Sequence, residues 1–166
     1  MKIDNSEREI LEILEKDARL NASDISKMIG KKEEEVRTMI KRLEEARVLV
    51  HYTALVDWSK VEDDQRVTAM IDVKVTPKRG VGFHDTAERI YRFKEVSSVY
   101  LMSGAYDLSV TVEGKSMNEV ARFVSEKLSV LEEVVSTTTH FQLKKYKHDG
   151  RVFEEKQTDN RIVVSP

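Results

Sequence analysis

Apolar residues recur at three- and four-residue intervals through the first third of the chain and at alternate positions through much of the remainder. Those spacings give a helix one buried stripe and a strand one buried face. From Asp4 onward, Ile10, Leu11, Ile13, Leu14 and Ala18 predict a first helix, capped by Asp4 or Asn5. A second follows in NASDISKMIG, with Asn21 as its cap, Asp24 as a short version of the capping-box acid, Ile25, Met28 and Ile29 facing inward, and Gly30 past its end. A third, KKEEEVRTMIKRLEEARV, places Val36, Met39, Ile40 and Leu43 on one face and turns Arg37, Thr38, Lys41 and Arg42 to solvent. Two short helices meeting at a glycine after a longer one match a helix-turn-helix. The β-branched and aromatic residues of Val48 to Val56 predict a strand leading out of that domain.

Trp58 to Arg66 is polar enough for a linker, although Trp58 and Val61 offer apolar surface to a neighbour. VTAMIDVKV then alternates cleanly, with Val67, Ala69, Ile71, Val73 and Val75 on one face and Thr68, Met70, Asp72 and Lys74 on the other. Pro77 and Gly80 end that strand, and Phe83, Ala87, Ile90 and Tyr91 fall at helical spacing after it. VSSVYLMS and LSVTVEG predict two more strands, joined by Gly104-Ala105-Tyr106-Asp107. Val120, Phe123, Val124 and Leu128 mark a further helix, and VVSTTTHFQLKKY a fourth strand. This order is that of a ferredoxin-like βαββαβ sandwich, an α+β arrangement in which two helices cover one face of an antiparallel sheet. The other face would leave Met70 and partly apolar neighbours exposed, a surface suited to a second copy. Asp149-Gly150 signals a hairpin, and the terminal RIVV an added edge strand or a crossing to a partner chain.

Composition narrows the chemistry. Of 166 residues, 40% are apolar and 35% charged, with no long apolar run, so the expectation is a globular protein of the cytoplasm that does not enter a membrane. Without cysteine there is no disulfide, thiol nucleophile or cysteine metal site, and no metal or cofactor is expected. The formal charge of -2 means that nucleic-acid binding has to come from a local patch. In a helix-turn-helix the last helix enters the major groove. Lys31, Lys32, Arg37, Thr38, Lys41 and Arg42 are then the candidate DNA contacts, or else ordinary solvated residues of a three-helix bundle. Glu33, Glu34 and Glu35 suit the helix dipole but repel phosphate. Tyr106 and Asp107 form a polar handle that is either a satisfied turn or the wall of a small pocket. The four histidines, His51, His84, His140 and His148, are dispersed, and no catalytic set emerges.

A helix-turn-helix, a linking strand with YTAL and a βαββαβ domain with SGAYDL together resemble the leucine-responsive regulator and AsnC (Lrp/AsnC) family of transcription factors. The resemblance spans about residues 1–150 and is carried by LEEARVLVHYTAL (Leu43 to Leu55) and by Gly104, Tyr106 and Asp107. It implies a winged helix-turn-helix domain over 1–52, a linking strand and hinge over 53–66, a RAM-type ferredoxin-like effector and oligomerisation domain over 67–147, and a hairpin and tail over 148–166. It implies double-stranded DNA as a partner, a homodimer built into an assembly such as an octamer, and a small-molecule effector, usually an amino acid. The effector positions carried over are Gly104, Ala105, Tyr106 and Asp107, with Thr137, Thr138 and Thr139 beside them. Three departures stand out: Lys32 replaces the usual Ser or Thr cap, an acidic triplet follows it, and Arg47 replaces the glycine that ends the third helix. Two other functions fit the pattern: an effector-binding oligomeric sensor with weak or no DNA binding, or an enzyme like the sirohaem decarboxylases, which use histidines and arginines on a similar sheet domain.

Overall fold

The computed structural model describes residues 2–63, 66–76 and 82–153. The chain divides into two compact units, Met1–Val56 and Asp57–Pro166. The first holds α1 (Asn5–Lys16), α2 (Ala22–Ile29) and α3 (Glu33–Glu45), closed around Ile10, Leu14, Ile25, Val36 and Leu43. Asp4 caps α1 in a full capping box with Glu7, so two backbone N–H groups that a helix start leaves over are satisfied reciprocally. α1 stops short of Ala18, because Asp17 takes up extended backbone. Asn21 caps α2 through the N–H of Asp24, and Gly30 ends it at φ 66°. Met28, expected inward, is 59% exposed; Ser26 is buried in its stead, its hydroxyl donating to Ser23 O.

Arg47 takes the left-handed conformation, φ 52°, that a side chain adopts at a cost. It occupies the first position past the C-cap of α3, where the N–H of Arg47 donates to Glu44 O and that of Val48 to Leu43 O, the bond pattern that a glycine usually completes. Replacing Arg47 by Gly is expected to raise the stability of this unit by about 1 kcal/mol in denaturant titration, relief of strain exceeding the added unfolded-state entropy. The strand expected over Val48 to Val56 is absent: those residues form no regular secondary structure. A strand needs a hydrogen-bonding neighbour as well as suitable residues, and the unit offers none. Tyr52 folds back to α3, its hydroxyl donating to Glu44 at 2.8 Å.

In the second unit a single 3-10 turn, Trp58–Lys60, precedes the sheet, and the Arg66 guanidinium lies 3.6 Å over the Trp58 ring. The strands are β1 (Val67–Val75), β2 (Val96–Leu101), β3 (Leu108–Gly114) and β4 (Val134–Phe141), paired antiparallel in the order β2-β3-β1-β4. The helices are α4 (His84–Tyr91) and α5 (Met117–Phe123), the latter continuing into a π turn over Val124–Leu128. Ile90, Val120, Phe123 and Leu128 of the helical layer pack on Ala69, Ile71, Val73, Leu108, Val110 and Val112 of the sheet. The βαββαβ order and the faces of β1 are thus as the alternation predicts. On α4, however, Tyr91 points to solvent and the inward positions are Thr86 and Ile90. β4 ends at Phe141, opposite Ala69; Gln142 N–H still donates to Thr68 O at 2.9 Å, and residues 142–145 lie outside the strand.

The face without helices is more polar than expected. Besides Met70 and Tyr100 it carries Thr68, Asp72, Lys74, Thr138 and His140, with His140 Nε2 3.0 Å from Asp72 Oδ2. A short ribbon, β5 (Lys147–His148) with β6 (Arg151–Val152), turns at Asp149 (φ 44°) and Gly150 (φ 74°), fulfilling the hairpin signal. The break at Pro77 and Gly80 and the terminal RIVV lie outside the described residues.

Candidate nucleic-acid interface and effector site

The turn between α2 and α3 is tight. Lys31 N–H reaches back to Ser26 O at 3.0 Å, and α3 begins two residues later with Glu33, Glu34 and Glu35 in its first turn. Those carboxylates stabilise the helix start electrostatically. Two cations further along α3 are also engaged by carboxylates. Arg37 Nη2 lies 2.6 Å from Glu33 Oε1, and Lys41 Nζ 3.8 Å from Glu45. The Thr38 hydroxyl donates to Glu34 O at 2.8 Å.

Arg42 departs furthest from its expected role. Its Nε donates to Glu7 Oε1 at 2.6 Å, tying α3 to the fully buried capping acid of α1. The Arg42 guanidinium and then the Asp4 N–H hold the Glu7 carboxyl below its ordinary range, against the opposing effect of burial. Arg42 is therefore a fastening of the bundle, a role that spacing within α3 alone does not reveal. Lys31 and Lys32, ahead of the helix, complete the six candidates.

In the second unit, the Gly104–Asp107 turn closes on the end of β1. Asp107 N–H donates to Val73 O at 3.0 Å, its carboxylate Oδ2 accepts from Val75 N–H at 2.8 Å, and Met102 N–H donates to Asp107 O at 2.8 Å. Lys74 Nζ stands 3.7 Å from the same carboxylate oxygen and 3.4 Å from Ala105 O. Asp107 thus holds the turn, whatever else it does. Gly104 and Ala105 are exposed, and Tyr106 and Asp107 half-buried.

The three threonines do not act as a block. Thr137 lies opposite Val73 and Thr139 opposite Ile71 on the helix-facing side, whereas Thr138 lies opposite Asp72 on the other side. Strand alternation separates neighbours in sequence onto opposite faces. Of the three, Thr137 comes nearest the turn: Val73 is its ladder partner and also accepts the Asp107 N–H. Sequence patterning gave no sign of a cavity of about 590 Å³ at the opposite end of the sheet, bordered by Arg66, Lys94, Glu95, Gly114, Lys115 and Glu119. Its lining comes from four separate segments and leaves no local signature. The dispersed histidines do not gather, and among the described residues no His, Asp or Glu group is placed to hold a metal ion.

Comparison with known proteins bears on both units. Residues 3–50 match the winged helix-turn-helix DNA-binding model and residues 68–152 the Lrp/AsnC ligand binding domain. The chain is 63% identical to YugG of Bacillus subtilis, described as an uncharacterised HTH-type transcriptional regulator, over the full length of both. It is 30% identical over 145 residues to the HTH-type transcriptional regulator FL11 of Pyrococcus furiosus, covering 87% of this chain and 92% of that one. In solved structures it resembles AsnC of E. coli (TM-score 0.68, 21% identity, 89% of this chain and 97% of that one). A Neisseria meningitidis transcriptional regulator in complex with L-Met has the same fold (TM-score 0.71, 24% identity, 89% and 94% covered). A DNA-binding helix-turn-helix joined to a ligand-binding α+β domain defines a transcriptional regulator. The chain belongs to the Lrp/AsnC family of such regulators. Among the described residues no helix is long and apolar enough to cross a membrane.

Proposed function

We propose that this regulator senses an amino acid at the β1 end marked by Gly104, Ala105, Tyr106 and Asp107, with Thr137 on the neighbouring strand, and that the ligand changes its assembly or its affinity for DNA. The observation that carries the reading is the convergence of the Asp107 turn and Thr137 on Val73 from either side of β1. By its chemistry a carboxylate suits an ammonium and a hydroxyl a carboxylate. The L-Met held by the meningococcal relative supports an amino acid as the class. Thr138 and Thr139 lie further along β4 from the turn and contribute less. The protein works as a homo-oligomer in the cytoplasm, with the ligand in a cleft between copies. Its family is regulatory, and catalysis has no part in the proposal.

DNA is contacted through the start of α3, with Lys31, Lys32, Arg37 and Lys41 on phosphates and Thr38 nearest the bases. A sensor with weak DNA binding is the second reading, favoured by the carboxylates that engage Arg37, Lys41 and Arg42. The test is a thermal-shift screen of the standard amino acids, L-Met included, alongside duplex titrations with and without any hit. A ligand at one hundred times its Kd adds about 2.7 kcal/mol to the folded state, and the same ligand is expected to alter duplex affinity or oligomer size. No shift with any amino acid would sink the effector class. A shift without duplex binding would leave the sensor.

A further inference from the structure

We infer that the β5–β6 ribbon of the effector domain is a second contact for duplex DNA, gripping its sugar-phosphate backbone. The inference rests on the DNA-binding reading above. Residues 1–56 carry 11 Lys and Arg against 12 Asp and Glu, and residues 57–166 carry 17 against 18, so in either unit attraction for a polyanion has to come from a local patch. Within the helix-turn-helix unit Arg37, Lys41 and Arg42 are each engaged by a carboxylate. Duplex affinity comes mainly from cations that displace counterions from phosphates. The densest run of such cations in the chain is elsewhere: Lys144, Lys145, Lys147 and Arg151 fall within eight residues that include one acid, Asp149.

The fold presents this run on a fixed and exposed platform. The Asp149-Gly150 turn sets the two strands, and Phe153 N–H to Tyr146 O at 3.0 Å extends their ladder. Lys144 Nζ rests 4.7 Å from the Tyr146 ring centroid and Lys145 Nζ 5.2 Å from that of Phe153, which orders both stems before any partner arrives. Lys147 stands opposite Val152 and Arg151 opposite His148, so the charges emerge from both faces of the ribbon. Asp149 sits at the tip, 3.7 Å from His148. Glu154 and Glu155 come next in sequence. A two-stranded ribbon has the width of a DNA groove, and phosphates line both of its edges.

The experiment titrates the full-length protein with a labelled duplex of mixed sequence between about 50 and about 200 mM salt. Replacing Lys145, Lys147 and Arg151 by Ala is expected to lower the slope of log K against log salt by about 2.7, or about 0.9 for each phosphate no longer neutralised. A Lys147→Gln, Arg151→Gln variant, which keeps polar side chains without their charge, lowers it by about 1.8. A Lys145→Arg, Lys147→Arg variant retains it. An unchanged slope in either neutralised variant, with its melting temperature intact, overturns the ribbon contact while the wild type still binds. A wild type that binds no duplex even at low salt overturns the DNA-binding reading itself.

Discussion

Replacing Asp107 by Ala lowers the melting temperature of the effector domain by roughly 5–15 °C, whereas replacing it by Asn leaves melting nearly unchanged, and both variants lose the response to the amino-acid effector. The carboxylate accepts the N–H of Val75, a residue only 4% exposed. Without an acceptor that N–H is a poorly hydrated donor, at a cost of about 1–3 kcal/mol. Asparagine supplies a carbonyl oxygen in the same place and so preserves the turn. It lacks the charge that would attract an ammonium and that faces Lys74 at 3.7 Å, an exposed pair that adds little to stability by itself. Differential scanning fluorimetry with and without the effector separates the two roles. An Asn variant that still responds fully would confine Asp107 to holding the turn.

Neutralising Glu33 and Glu34 together, both to Gln, tightens duplex binding about tenfold at low salt, equivalent to ~1.4 kcal/mol. Two negative charges leave the first turn of α3, and Arg37 is released from its 2.6 Å partner. Unit charges about 4 Å apart in water interact by about 1 kcal/mol, enough for the gain expected. The helix loses some dipole stabilisation, about 0.3–1 kcal/mol per charge, so melting falls slightly as affinity rises. Fluorescence anisotropy titrations at two salt concentrations measure both the gain and its screening. Equal or weaker binding by the variant would show that the start of α3 does not approach phosphate.

The elements that could be read from the sequence share one property: their signals are local. β1 alternates strictly and faces the core with every other residue, and α2 carries its own cap and its own stop in Asn21 and Gly30. Errors fall where a local signal competes with something distant. Val48 to Val56 has strand-forming residues and no neighbouring strand. Tyr91 and Met28 sit at plausible apolar positions, but the packed faces chose Thr86 and Ser26, because a helical stripe is decided by what it meets. Arg47 is the reverse case, where the bond pattern ending α3 demanded a left-handed residue and the sequence supplied an unfavourable one.

By itself the sequence determined the helix-turn-helix, the βαββαβ order, the sheet faces of β1 and the hairpin at Asp149-Gly150, since periodicity, caps and turn residues act within a few positions of one another. Only the tertiary structure decided which of the chemically able side chains are already committed. Glu7 and Arg42 are 35 residues apart, Asp107 and Val75 32, and Asp72 and His140 68. Hydrogen bonds and ion pairs over such separations depend on how elements pack and pair, and no spacing along the chain encodes them.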